Sequence, residues 1–220
     1  CECYQCVKVC QAEAINHLDL PTTRTLDVGS MILSSGFSAF DPSNFDTYSY
    51  SKFPNVVTAL EFERILAATG PWMGHLVRPG DEKEPQKIAF LQCIGSREIN
   101  RCDHPYCSSV CCMYAIKESV IAKEHSAHDL DISIFYMDMR THGKDFERYY
   151  QKAQAEGVRF VRSRVHSITE APDGSLTLEY VSEDGHRINE TYDMVVLSQG
   201  MEVSADSKQL AQDLGITLKS

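Results

Sequence analysis

No apolar stretch of this 220-residue chain approaches the roughly 20 residues that a membrane-spanning helix requires. No basic segment followed by an apolar core stands at its start, so a secretory leader is not expected either. Cationic charge is scarce: 21 lysines and arginines against 31 aspartates and glutamates leave a formal net charge of -10. Nucleic acid and anionic membrane surfaces both require a basic face, and neither is expected as a partner. Also missing is the turn G-x-G-x-x-G, whose bare backbone lets a dinucleotide pyrophosphate settle against a helix N-terminus. A chain of this length holds one or two domains.

Cysteine, in contrast, is abundant, with nine residues in two groups. The first is Cys1, Cys3, Cys6 and Cys10. Its C-x2-C-x3-C portion matches the last three positions of the ferredoxin run C-x2-C-x2-C-x3-C, in which closely spaced thiolates wrap one cubane. Neighbours so close in sequence rarely reach disulfide geometry. Ferredoxin spacing puts the first ligand one residue before Cys1, which suggests truncation there; Cys1 could substitute only through a strained C-x-C. In such runs the last cysteine often serves a second cluster, so Cys10 need not share one with Cys3 and Cys6. The competing reading is a zinc knuckle. Without a secretory signal, metal-ligand spacing of cysteines indicates a reducing compartment, the cytoplasm by default.

Between the groups, residues 24–36 read as a strand running into Ser34, Ser35 and Gly36, where a missing side chain lets the backbone approach a ligand. Thr58 with Glu61 forms a capping box that opens a helix, with Gly70 as its stop. The charged turn 78–85 marks a domain boundary. From Lys87 onward strand and helix alternate: strand 88–92, helix 111–125, strand 131–137, helix 145–157 closed by glycine, and strand 158–162. A hairpin of 175–181 and 187–192 around Glu183-Asp184-Gly185 follows, and then a return strand, 194–200. The fold class is therefore α/β, with a Rossmann-like half of the kind found in two-dinucleotide flavoproteins.

The second cysteine group, Cys93, Cys107, Cys111 and Cys112, sits where that half should carry its glycine turn. Thiolates replace the phosphate site there. Cys107, Cys111 and Cys112 lie in the loop and first helical turn, where the positive end of the helix dipole stabilises an anionic cluster. Cys102, inside the loop, reads as a bystander, and a buried small hydrophobe is the bland account of any single cysteine here. His104 could ligate a metal, but a loop histidine is more often a hydrogen-bonding partner. Arg140 and His142 follow the second strand, where a nicotinamide domain reads its ribose; without the glycine turn they read as a charged strand-end loop.

Residues 90–97, 106–117, 136–140 with 143–147, and 195–200 together resemble the A subunits of the heterodisulfide reductase family, which includes flavoprotein subunits of the quinone-interacting oxidoreductase of sulfate reducers. The C-x13-C-x3-C-C element is the most specific part of the likeness. The resemblance implies a thioredoxin-reductase-like core binding FAD, with 4Fe-4S clusters and added ferredoxin modules. It implies that Ser34, Ser35 and Gly36 stand in an FAD-domain strand, although two serines depart from the family's Ala-Thr-Gly. It implies that Lys117 lies beside the flavin ring, where its ammonium favours an anionic reduced flavin.

The family's FAD fingerprint is absent from these residues, so the chain is expected to be an internal fragment, inactive alone. The expected domains are the end of a ferredoxin-like module over 1–16, an FAD-domain segment over 17–85, the Rossmann-like domain with a 4Fe-4S site over 86–200, and a return to the FAD domain over 201–220. The implied function is electron relay between flavin and clusters, toward partner subunits of the heterodisulfide reductase B and C or hydrogenase and dehydrogenase types, with homodimer formation left open. The alternative is a zinc-stapled interaction module without redox activity.

Overall fold

The computed structural model describes residues 3–218. The chain divides into two compact units, Cys1–Ser35 and Gly36–Ser220. In the first, the only regular element among the described residues is the short helix α1 (Gln5–Val9), entered through Tyr4 in the left-handed region (φ 56). The strand expected over 24–36 does not form. Leu26, Val28, Met31 and Ile32 are exposed instead. A strand needs a neighbour for its backbone N–H and C=O groups, and no ladder among the described residues includes this segment.

The second unit has three layers. Its centre is an all-parallel sheet of β2 (Val56–Thr58), β3 (Lys87–Ile94), β4 (Asp131–Tyr136), β5 (Arg159–Arg162) and β9 (Met194–Gln199), in the order β2-β9-β3-β4-β5. The α/β reading is borne out. Being covered on both faces, β9 is buried along its whole length, the continuous apolar run expected of an internal parallel strand. Alternation along β3 sends Ile88 and Phe90 to one core and Ala89 and Leu91 to the other.

On the first face lie α2 (Ala59–Leu66), α4 (Cys111–His125) and α5 (Phe146–Ala155). Phe62, Ile65, Ile116 and Val120 pack there against the sheet, with Phe62 edge-on to Phe90 at 5.4 Å between ring centroids. On the second face lies an antiparallel sheet of β6 (Ser167–Glu170), β7 (Leu176–Val181) and β8 (Arg187–Tyr192). Leu176, Leu178, Tyr180 and Tyr192 fill that core, and Phe135 meets Tyr180 at 4.9 Å. The hairpin forms as expected, Val181 opposite Arg187 with Gly185 at φ 81. A two-residue ribbon, β1 (Ser38–Ala39) with β10 (Met201–Glu202), runs antiparallel at one end of the unit. The helix α6 (Ala205–Asp213) comes last.

Two further sequence expectations need correction. The capping box at Thr58 and Glu61 is present, but α2 ends at Leu66, with Ala67 extended, and not at Gly70. Chain reversal after Ala67 brings Gly70 against the last turn, where a Cβ would stand 2.0 Å from the Arg64 carbonyl oxygen. Its glycine is needed for close approach, not for a helix cap. The charged turn 78–85 does not divide two domains, because β2 and α2 before it belong to the same layers as β3 and β9 after it.

Candidate functional site

β3 leaves the sheet through an irregularity between Leu91 and Ile94, and Cys93 adopts the left-handed conformation there (φ 62). Gly95 follows at φ 71 with the Phe40 ring 2.1 Å from where a Cβ would be, so only glycine fits this exit. The connection to α4 is long but tied. Arg97 N–H donates to the Tyr106 carbonyl (3.0 Å), and Glu98 and His104 exchange backbone bonds across a bridge. Between them lies the short helix α3 (Ile99–Cys102). His104 Nδ1–H donates to Gly95 O (2.9 Å), and the ring stands 3.6 Å from Glu202 and packs between Phe40 and Tyr106. It braces the loop as a hydrogen-bonding residue.

The base of the loop is a serine pair. Ser96 and Ser108 hydroxyls are bonded at 2.8 Å, and Ser108 accepts from Met201 N–H at 2.9 Å. Gly200 makes room for them: a Cβ there would lie 2.1 Å from Ser96 Oγ. This arrangement delivers Cys107 beside the start of α4, whose first residues are Cys111 and Cys112. Val110 precedes them as N-cap and no side chain caps the helix. The positive end of a fifteen-residue helix therefore faces the thiols without a competing acceptor.

Cys93, Cys111 and Cys112 each respond to neighbouring thiols. Burial pushes Cys93 up to about 11, with further upward contributions from Cys112 and Cys107 and a downward one from Arg97. Burial likewise pushes Cys111 up to about 12, opposed by a hydrogen bond with Tyr114 and reinforced by Cys93, Cys112 and Cys107. Cys112 is raised by burial, against a backbone N–H from Arg140, with Cys107 adding to the rise. Thiols held this way resist ionising together, which is the condition a bound cation or cationic iron core reverses. Donors to sulfur are present: Ser109 N–H reaches Cys107 Sγ at 3.3 Å, and the Arg140 side chain also bonds Cys107. Asp138 pairs with both Arg97 and Arg140, so two cations and one anion border the quartet. Among the described residues, no three His, Cys, Asp or Glu side chains already lie within reach of a single metal ion.

Cys102 is apart from this group. It packs against the second core and its thiol donates to Glu98 O at 3.2 Å; burial raises it, the His104 backbone N–H opposes the rise, and the charges acting on it are Glu98, Glu202 and Arg164. Of the first cysteine group, Cys3 precedes α1, Cys6 lies within it and Cys10 caps its end; Cys6 Sγ is 3.4 Å from His17 Nε2. Cys1 lies outside the described residues. Ser34, Ser35 and Gly36 are exposed and belong to no strand. Lys117 is exposed on α4, and His142 is exposed beyond β4.

Sequence reasoning missed several contributors. Tyr114 Oη donates to Gln199 O at 2.6 Å, beside the Cys111 thiol at 3.5 Å from the same carbonyl. Glu118 is buried on α4, and Arg140, in the charged loop after β4 as expected, also borders the thiols. The only sequence signal for Gln199 was its place in the strand-into-glycine run 194–200. Nothing local distinguishes Glu118 from a solvated helix glutamate.

No family model matches the chain. It is 38% identical over 220 residues, 98% of its length, to the A subunit of the H(2):CoB-CoM heterodisulfide,ferredoxin reductase of Methanothermobacter thermautotrophicus, and covers 33% of that protein. It is 41% identical over 207 residues to the second of the iron-sulfur A subunits of the CoB-CoM heterodisulfide reductase of Methanopyrus kandleri, covering 92% of this chain and 31% of that one. The chain thus spans about a third of the length of the curated relatives it matches. The likeness drawn from the cysteine motifs to heterodisulfide reductase A subunits is borne out over nearly the whole chain. Among solved structures, a thioredoxin reductase from Lactococcus lactis matches 81% of this chain and 46% of its own at 13% identity, with a TM-score of 0.46.

Proposed function

From this kinship with heterodisulfide reductase A subunits, we propose that the chain is an electron-transfer segment of an iron–sulfur flavoprotein oxidoreductase, with a 4Fe-4S cluster held by Cys93, Cys107, Cys111 and Cys112. The observation that carries the reading is the placement of Cys111 and Cys112 at an uncapped helix start, with Cys93 and Cys107 near enough to raise the Cys111 thiol and Cys102 packed apart from them. Such a cluster, when bound, supplies one-electron chemistry at a potential tuned by hydrogen bonds and burial. The chain's own residues do the tuning. Backbone N–H groups of Ser109 and Arg140 donate to Cys107 and Cys112, while Arg97 and Arg140 lend positive charge to an anionic site. Tyr114 and the Gln199 carbonyl shield Cys111 from water.

Cys3, Cys6 and Cys10 are assigned to a ferredoxin-type cluster on the strength of their spacing. Residues 17–35, including Ser34 and Ser35, together with Gly36, are assigned to an FAD domain, and Lys117 is assigned to tuning a flavin. The exposure of Leu26, Val28 and Ile32 supports that assignment, since an apolar segment of this length calls for a partner. Electrons pass to partner subunits of a redox complex in the cytoplasm. Among the described residues no helix is long and apolar enough to cross a membrane.

The test is anaerobic reconstitution with iron and sulfide, followed by visible absorption and EPR before and after dithionite reduction. A brown protein whose reduced-state signal is diminished in Cys111→Ser and Cys112→Ser, and retained in Cys102→Ser, is expected. A colourless protein carrying stoichiometric zinc would instead establish a structural staple. Equal loss in all three variants would mean that the quartet is wrongly chosen.

A further inference from the structure

The parallel sheet ends at β2, and along that edge lies an open cavity of about 500 Å³. Val56, Val57 and Ile65 line it together with the rings of Tyr50, Phe53 and Trp72. Tyr50 and Phe53 pack against the second core and Trp72 against the first, so the rings stand on either side of the sheet edge. Both walls are set before a ligand arrives. Lys52 and Phe53 N–H donate to Ser49 O at 3.0 and 3.1 Å around Ser51 (φ 68), and His75 N–H donates to Trp72 O at 3.0 Å around Met73 (φ 53). Residues other than glycine hold such angles only where their surroundings fix them.

The polar side chains of this groove are unequally committed. Glu61 is spent: Oε1 accepts from the Tyr50 hydroxyl at 3.0 Å, and Oε2 accepts from Thr58 N–H at 2.7 Å and the Thr58 hydroxyl at 2.9 Å. Arg64 donates to Thr69 Oγ1 at 3.1 Å, and among the described residues no carboxylate pairs with it. Lys52 lines the same space with a second cation. The groove therefore offers aromatic faces, a guanidinium without a counter-ion, and no carboxylate oxygen left to receive a donor.

We infer that this groove binds a small aromatic carboxylate, its ring between Tyr50, Phe53 and Trp72 and its anion on Arg64. Edge and face contacts with three rings suit a planar apolar body, and the volume falls within the range of small-molecule sites. The guanidinium fork matches a carboxylate in two parallel hydrogen bonds. Three aromatic rings also invite a quaternary ammonium, but Arg64 and Lys52 repel a cation and Glu61 has both oxygens occupied. The chain's net charge of -10 does not bar an anion, because at physiological salt charges beyond about 8 Å are largely screened and the groove's own cations decide. None of the residues used here belongs to the thiol site, so the inference does not depend on what the thiols hold.

Trp72 is the single tryptophan of the chain, so its fluorescence reports occupancy of the groove directly. The probes are 3-phenylpropionate, 3-phenylpropanamide and phenethyltrimethylammonium, which share one ring and differ in charge, each titrated into the chain with calorimetry alongside. The acid should change the emission saturably and bind at least about fivefold more tightly than the amide, the scale of a solvent-exposed ion pair. The ammonium should bind more weakly than either. Raising the salt should erode the preference for the acid and leave the amide unchanged. Arg64 is exposed on α2, so Arg64→Gln spares the core; it should bring acid and amide within about twofold of each other. Arg64→Lys keeps the charge without the fork and should retain part of the preference. An amide that binds as tightly as the acid would overturn the inference, as would the ammonium binding tightest. So would a preference for the acid that persists in Arg64→Gln, or neither heat nor emission change with the acid.

Discussion

Replacing Glu118 by glutamine should make the protein more stable, and by an amount that grows with pH. The carboxyl is buried on α4, and its burial together with Glu63 lifts it from an ordinary 4.5 to about 9 in the folded chain. Below about pH 4.5 it is neutral whether the chain is folded or not, and the substitution is nearly silent. Between there and about 9 only the unfolded chain ionises it, so the folded state loses about 1.4 kcal/mol per pH unit relative to the variant. The stability associated with this proton is thus fully present in acid and lost as pH rises toward the folded value. At pH 7 the gap amounts to about 3 kcal/mol, and above about 9 it stops widening because both states then ionise. Urea unfolding at a series of pH values from 5 to 8, followed by circular dichroism, measures it directly. Parallel stability curves for parent and variant would refute the reasoning, since they would mean that Glu118 ionises alike in both states.

Thr58→Ala removes one half of a closed capping box, in which Thr58 Oγ1 accepts from Glu61 N–H and Thr58 N–H donates to Glu61 Oε2 at 2.7 Å; a loss of about 1 kcal/mol in urea unfolding is expected. Gly200→Ala puts a methyl 2.1 Å from Ser96 Oγ and 2.8 Å from Ser108 Oγ. It should spread the loop that carries Cys107, and a reconstituted cluster should bleach faster in air, read as the decay of its visible absorption. Arg140→Ala takes a cation from beside Cys107 and Cys112. The midpoint potential of the cluster should move to more negative values in a spectroelectrochemical titration, with Arg140→Lys restoring part of the shift.

Much of the second unit was legible in the residue order. The strands at 88–92, 131–137 and 194–200 are short, apolar and bounded by turn residues, and they became β3, β4 and β9 of one parallel sheet. Thr58 and Glu61 announce α2 because a capping box is a local device that needs no distant partner. The end of α2 was not legible. Ala67 turns extended for reasons that lie in packing, and Gly70 serves the Arg64 carbonyl instead. The segment 24–36 has the composition of a strand, yet strand formation needs a neighbour to bond with, which the sequence of the segment does not supply. β2 was missed because three residues are too few for a period to appear.

For the candidate site, spacing alone singled out Cys93, Cys107, Cys111 and Cys112, because thiolates at a helix start in place of a glycine turn have few other uses. Cys102 reads as a bystander from its place inside the loop, and packing gives the physical reason by turning its thiol to Glu98 O within the second core. The sequence likewise established an acidic α/β chain without a phosphate-cradling turn, since composition and local pattern are properties of the residues themselves. Tertiary structure alone decided which polar groups are deprived of water. Glu118 and Gln199 look unremarkable in sequence, but α4 and β9 bury them against an apolar cavity with one oxygen of each unpaired. Desolvation depends on what the rest of the chain brings near a group, and no local pattern carries that information.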